Sequence, residues 1–504
     1  MSERVSTALA KIIQNNPWMS QVAGILPLSA LIDFIDIPVK IHTLQVTGSC
    51  PLWSWAITPS GSRLLLSDNS NNPNYKTPIL DQYGNSISLL GIDGRYGDQY
   101  LLPNPETVRT CISSQSAHAI HNRHANMKKP KQQLRIQELE IIHVQRHSPN
   151  SPSSTTQPWP WPYLSRFSPR YITTSLLGYI SLLCLIVLAI FSKCYLAVAF
   201  LLLMPLSGAI VTLTHGNGPR RLLNSDTMTS PYNRLVTVAQ NTNSSHWTIF
   251  YGESTLVNSL LNRPLEPDES HPLLSSFSPL SSQLVLKMLL RTLILAQWAL
   301  AIATAATQDW NAFYICFWIV FSIFAHAYLI PLHTEIRRWL MASARIQLCR
   351  YTTQLSSRRA LLNTVIALNP DTFPAGKTVA EKEGGGSESE DSTVTSSTTI
   401  IANDTSRLCP GAMKAINPIL EPSDERSLWE EATREAMMLC EDVPVEKRIT
   451  GLSSTECGDL LGEEWKRQYG RLYWMPFISE GIYMAAKIRS EAGLSGRMVR
   501  GSGV

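Results

Sequence analysis

Residues Leu284–Leu332, LVLKMLLRTLILAQWALAIATAATQDWNAFYICFWIVFSIFAHAYLIPL, decide the reading of this chain. A membrane-spanning helix needs about 20 mostly apolar residues. Leu289–Ala306 and Trp310–Leu332 approach or exceed that length on either side of a tight turn at Gln308-Asp309-Trp310-Asn311. An earlier pair, Ile172–Phe191 and Tyr195–Thr214, repeats the design around Ser192-Lys193-Cys194. The expected fold class is an α-helical integral membrane protein with four transmembrane helices in two hairpins and cytosolic α+β domains.

Four spans use about 80 residues of a 504-residue chain whose net charge is only +4. Most of the sequence therefore lies outside the bilayer, and the charge argues against nucleic acid as a partner. The nine cysteines show no pairing rhythm and read as reduced thiols. Trp18–Ile35 is apolar but broken by Pro27 and carries Asp33. An acid at the centre of a span costs about 3 kcal/mol, so this stretch is not counted as a span.

Outward from the spans, residues 1–147 read as a β-containing soluble domain. It opens with a helix over Thr7–Asn15, then gives short strands in VKIHTLQV, LWSWAI, RLLLS and SISLLGI between turn clusters. Residues 148–170 form a proline- and serine-rich linker, 171–215 and 284–332 the two hairpins, and 216–283 a loop domain. In that loop domain RLVTVA and WTIFYG pair as a β-hairpin. Residues 333–369 read as a basic amphipathic helix with an apolar stripe at Ile336, Leu340, Ala344, Leu348, Tyr351 and Leu355. Residues 370–406 are an acidic Ser/Thr-rich linker of disordered composition. Residues 407–504 form a helical domain with a capping box at Ser427 and Glu430. Within it, 472–488 is apolar but interrupted by Pro476 and Glu480, and reads as a buried or interfacial helix.

Candidate functional residues are few. His118, His121 and His124 recur every third residue, which on a helix would bring imidazoles toward one face for a metal. No acid or cysteine joins them, and solvated loop is the favoured reading. Gln297 and His326 are the polar groups of the membrane interior, where such groups are functional suspects. Arg337, Arg338, Arg345 and Arg350 suit an anionic lipid surface. Lysine and arginine cluster at one set of span ends, at Arg166, Arg170, Arg220, Arg221, Lys287, Arg291 and beyond Arg337, against Lys193 alone in the two turns. The positive-inside rule then puts both termini and 216–283 in the cytosol. The sequons at Asn243 and Asn403 would face the cytosol and stay unmodified. No familiar catalytic motif or cofactor signature is present, so no cofactor is expected.

Four segments resemble a group of multi-pass membrane proteins of filamentous fungi that has no assigned activity: WMSQVAGILPLSALIDFIDIPVKIHTL, WTIFYGESTLVNSLLNRPLEP, QDWNAFYICFWIVFSIFAHAYLI and ECGDLLGEEWKRQYGRLYWMPFISEGIY. The resemblance implies a membrane location and carries over no site residue. The expected role is a non-enzymatic scaffold or regulatory subunit, anchored in the lipid bilayer and binding protein partners through its cytosolic domains. A transporter or channel subunit is the first alternative and a lipid-modifying membrane enzyme the second.

Overall fold

The computed structural model describes residues 2–27, 37–48, 51–54, 80–81, 87–122, 136–147, 169–215, 219–222, 232–263, 265–267, 280–330, 332–372, 416–417, 421–441, 461–469 and 474–494. The linkers over 148–168 and 373–406, the RLLLS run, His124 and Asn403 lie outside these residues.

The chain opens with α1 (Ser2–Asn15), α2 (Pro17–Ile25) and α3 (Ile37–Thr47), followed by a 3-10 turn at Leu52–Ser54. Next come β1 (Leu90–Asp93), β2 (Gln99–Leu101), α4 (Pro105–Ser113), β3 (Ala117–Ala119) and β4 (Gln137–Arg146). Two apolar helices follow, α5 (Pro169–Phe191) and α6 (Tyr195–His215), then β5 (Arg220–Arg221), β6 (Asn233–Ala239), β7 (His246–Glu253), α7 (Ser254–Asn262) and β8 (Glu266–Pro267). The second apolar pair is α8 (Leu280–Thr307) and α9 (Trp310–Phe324), which runs into a π turn at Ala325–Leu329. Last come α10 (Leu332–Ala342), β9 (Ile346–Leu355), α11 (Arg358–Leu368), α12 (Asp424–Glu441), α13 (Gly462–Tyr469) and α14 (Met475–Ala492).

The four helices α5, α6, α8 and α9 are long and apolar enough to cross a membrane. On α5, Tyr171, Gly178, Leu182, Leu185 and Ala189 point inward, while Leu176, Leu183 and Leu188 stand more than half exposed. An outer surface of large aliphatic side chains is costly in water and suits lipid. Lys193 and Gln308, in the turns between successive apolar helices, adopt φ +57° and +50°. That left-handed conformation ends a helix within one residue.

A seven-stranded sheet, ordered β2-β1-β6-β7-β4-β9-β3, gathers strands from both sides of the apolar pairs. β4 lies parallel to β7 and pairs antiparallel with β9 from Gln137↔Leu355 to Arg146↔Ile346. Side chains alternate between faces, as the strand period of two requires. Leu139, Ile141, Leu235, Trp247, Ile249 and Leu355 face α11, α12, α13 and α14. Ile142, Val144, Val236, Val238, Phe250 and Leu348 face a second layer built from α3, α4, α7 and α10. The segments read from sequence as an N-terminal domain, a loop domain and a post-membrane helix thus share one sheet.

Several expectations change. The helix expected over 333–369 is α10, β9 and α11, because the chain turns at Ser343-Ala344-Arg345, with Arg345 at φ +52°. The VKIHTLQV run is helical in α3, and Leu52–Ser54 of LWSWAI is a 3-10 turn. Helix α12 starts at Asp424 and is capped by Ser423, whose Oγ accepts from Arg426 N at 3.2 Å. Glu430 instead accepts from Arg426 Nε at 2.7 Å. Residues 475–488 of the 472–488 stretch belong to α14, which is buried in protein against α11. α1 and α2 lie at the Gln308–Trp310 turn, whereas α14 sits on the sheet.

Gly481 sets the α11–α14 approach, since a Cβ there would lie 2.4 Å from Asn363 Cβ and 2.9 Å from Thr364 N. A protease site inserted within 383–392 and cleaved should leave residues 416–494 bound to the rest of the protein on gel filtration. The same cut in Gly481→Val should release that fragment.

Candidate functional site at the bundle–sheet junction

The most elaborate cluster of described polar and aromatic groups lies where the apolar bundle meets the sheet domain. Trp53, fully buried, enters the bundle against α5 and α6. Its indole Nε1 donates to Ser175 O at 3.1 Å, a carbonyl already inside a helix, so the polar edge of the ring is satisfied away from water. Only glycine fits beneath it, because a Cβ on Gly178 would lie 2.1 Å from the indole. The ring meets Trp318 edge-on at 6.0 Å, packs at 5.9 Å from Phe321, and stacks on His326 at 6.2 Å with an interplanar angle of 19°. His326 is 1% exposed and occupies the π turn after α9, a widening of the helix that often accompanies function. Gln297, also buried, donates from Nε2 to Ser207 Oγ at 2.8 Å and so ties α8 to α6. At the far end of the bundle Asn311 Oδ1 accepts from Ala197 N at 3.0 Å, and Ser192 Oγ lies 2.8 Å from Tyr314 OH.

Above Trp53, α3 carries His42 into a second buried group. His42 Nε2 lies 3.1 Å from Thr107 Oγ1 and 3.6 Å from Asp81 Oδ2. Thr107 Oγ1 donates to Asp81 Oδ2 at 2.5 Å, and Glu106 N donates to Oδ1 at 2.9 Å. Asp81 therefore caps the first turn of α4, where unpaired N–H groups and the helix dipole favour an anion. Burial dominates nonetheless, pushing the Asp81 carboxyl up to about 6. It pushes His42 down to about 4. Arg220, buried beside them and held down to about 10 by the same desolvation, offers its carbonyl to Trp339 Nε1 at 2.9 Å. The arrangement is a hydrogen-bonded lock between α3 and α4 in which His42 is uncharged.

The other sequence candidates disperse. His118 lies on the exposed edge strand β3, its ring tilted against Tyr351 at 5.7 Å. His121 is exposed and its carbonyl accepts from Lys487 Nζ at 2.7 Å. Helical spacing does not apply to strand β3, which removes the argument for a metal, and the described residues contain no group of three His, Cys, Asp or Glu able to hold one. Arg337 is exposed on α10 and reaches Ser114 O at 3.4 Å, with Arg338 half-buried next to it. Arg345 is exposed in the turn. Arg350 does not face lipid; it sits on β9 and pairs with Glu140, whose carboxyl is held low by hydrogen bonds from His246 and Arg350 and by their charges, against desolvation. Asn243 is exposed at the β6–β7 turn, where Oδ1 accepts from Arg358 Nη1 at 3.3 Å. A cavity of about 40 Å³ between the sheet and α11, lined by Ile92, Trp247, Leu361 and Ile366 among others, is a packing gap rather than a ligand site. Sequence reasoning missed Trp53, Gly178, His42 and Asp81. The signal available was a lone Pro-Leu-Trp in a stretch read as strand.

Comparison with protein-family models, with curated proteins and with solved structures finds no match.

Two outcomes are expected in thermal melts of the detergent-solubilised protein. Gly178→Val should destabilise by about 1–3 kcal/mol through overpacking. The pH test exploits the opposed shifts of Asp81 and His42. Folded Asp81 keeps a proton up to about pH 6 that the unfolded chain loses near 3.8, so its contribution falls as pH rises. Folded His42 loses near pH 4 a proton that the unfolded chain keeps to 6.5, so its contribution rises. Relative to the parent chain between pH 4 and 6.5, Asp81→Asn should make Tm climb more steeply with pH, and His42→Gln should make it climb less.

Proposed function

We propose that this protein is a non-enzymatic, multi-pass membrane-anchored scaffold or regulatory subunit that holds one α/β domain in a fixed attitude at the bilayer. The observation that carries this reading is the interlock itself. Trp53 is seated on Gly178 inside the bundle, and α3 just before it is bonded through His42 to α4 of the sheet domain. A flexible tether would suffice to localise an independent domain, whereas a buried joint transmits orientation. The sheet domain is assigned to the cytosol, because Arg170, Arg220, Arg221, Lys287, Arg291 and Arg337 all flank the helix ends nearest it. Its partners are then cytosolic proteins, and exposed Arg337 and Arg345 are available to anionic headgroups.

A second reading, a transporter or channel subunit, draws on one feature, the buried His326 in a π turn of the bundle. Proton flux in proteoliposomes that His326→Ala abolishes would favour it over the scaffold.

The scaffold reading is tested by retention in alkaline carbonate together with a glycosidase gel-shift on the native protein and on Asn243→Gln. Retention without a shift is the expected outcome. A shift lost in Asn243→Gln would put the sheet domain in the lumen, and the cytosolic assignment would fall.

A further inference from the structure

From Tyr314 onward, every fourth residue of α9 and its π turn ends in a polar group. Tyr314, Trp318, Ser322 and His326 follow one ridge, because residues four apart are neighbours on a helix surface. Trp318, Ser322 and His326 are buried, whereas Phe317, Val320 and Phe324 on the outer face are exposed. The two ends of the ridge are engaged: Tyr314 OH lies 2.8 Å from Ser192 Oγ, and the His326 ring is stacked on Trp53. The two groups between them are not. Trp318 Nε1 and Ser322 Oγ are fully enclosed and meet no hydrogen-bonding atom among the described residues. A buried donor without a partner carries its whole desolvation cost, and buried polar groups are bonded as a rule. Two such donors one helical turn apart point to a ligand that serves both.

The surroundings define its chemistry. Ser322 lies twelve residues along α9 from Trp310, and Ser207 lies twelve along α6 from Tyr195. Both starting points are at one end of the bundle, where Asn311 Oδ1 accepts from Ala197 N. At 1.5 Å per residue, both serines are therefore about 18 Å inside. α6 packs against α8 and α9, so the Gln297–Ser207 pair and Ser322 share one polar layer. No charged side chain lies in that layer among the described residues, so an ion would have no counter-charge there. The Trp53, Trp318 and Phe321 rings crowd together, with centroids 5.4–6.0 Å apart, and Ser322 is the small side chain on the ridge beside them. The ligand is thus small and neutral, and it must accept from an indole N–H, which can only donate.

We propose that the ridge between Trp318 and His326 is an internal hydration site, where bound water accepts from Trp318 Nε1 and bonds Ser322 Oγ. Buried waters usually hold about three hydrogen bonds to polar groups that the protein leaves unsatisfied, and this site offers two of them. Water here puts a proton-carrying molecule in the middle of the bundle, one helical turn from His326. The site concerns what the bundle interior holds, so it stands under the scaffold and the transporter readings alike.

The test is X-ray radiolytic footprinting of the detergent-solubilised full chain in 18O-labelled water, read residue by residue by mass spectrometry. Hydroxyl radicals formed from a bound water oxidise the side chain beside it, even where bulk solvent does not reach. Trp247 and Trp339 are the dry standards: both are buried, and their Nε1 groups donate to Ser244 O at 2.8 Å and Arg220 O at 2.9 Å. Exposed Trp18 sets the upper level. Trp318 should take up 18O several-fold faster than Trp247 and Trp339, and uptake at their level would overturn the proposal. Ser322→Ala gives an independent answer in thermal melts. Removing an unbonded buried hydroxyl raises stability, whereas removing a hydrated one does not. An unchanged or lower Tm is expected, and a higher Tm would overturn the site.

Discussion

The ten residue pairs between β4 and β9, with β7 on the other side of β4, are the constraint on which the rest of this structure depends. β4 precedes the first apolar pair, β7 lies between the two pairs, and β9 follows the second. Each backbone N–H and C=O buried in the centre of the sheet must find a partner, and here those partners come from segments separated by the apolar helices. The sheet therefore fixes which helix ends can sit side by side. Conversely, the helices bring β4, β7 and β9 into reach and reduce the loop-closure cost of pairing strands more than a hundred residues apart.

Fixing helix ends leaves their rotation free, and the junction supplies the second restraint. A Trp that stacks on His326 and Trp318 while bonding Ser175 O can be placed only where α5 offers a glycine. Large aromatic rings dominate such contacts through buried area and specific geometry. In the layer above, Asp81 and His42 are both driven by desolvation toward their neutral forms. A neutral His42, bonded to Asp81 through Thr107, avoids a buried ion pair and still fixes the approach of α3 to α4. The same economy governs the bundle interior, where Gln297 and Ser207 satisfy each other across two helices.

What could be read from sequence was whatever depends on neighbours in the chain. The four apolar helices and the β6–β7 hairpin follow from length, alternation and turn residues within short windows. The sheet as a whole could not be read, because the parallel pairing of β4 with β7 is set by residues 138–144 meeting 246–252. The 333–355 stretch misled for a specific reason: its apolar residues fit helical spacing through Leu340 and strand spacing from Ile346. The break lies at Arg345, which gives no proline or glycine signal. The histidines at 118 and 121 failed as a cluster because their spacing has a meaning only on a helix. Trp53 was hidden because its partner, Gly178, lies 125 positions away and looks like any glycine in an apolar helix.

The stretch at 472–488 shows how a similar composition can serve two solvents. Its apolar residues would satisfy a bilayer, yet Glu480 sits at its centre and is 3% exposed. Here the carboxylate accepts from Asn122 Nδ2 at 2.9 Å and from Ser356 N at 2.8 Å, and Ser356 Oγ donates to its other oxygen. A hydrocarbon interior offers no such donors, so the same helix in lipid would carry an uncompensated acid. Ile478, Ile482, Ala485 and Ile488 are instead buried against α11 and the sheet. The helix is apolar because it is surrounded by protein, and Glu480 is tolerated because Ser356, at the end of β9, supplies the hydrogen bonds that the acid needs.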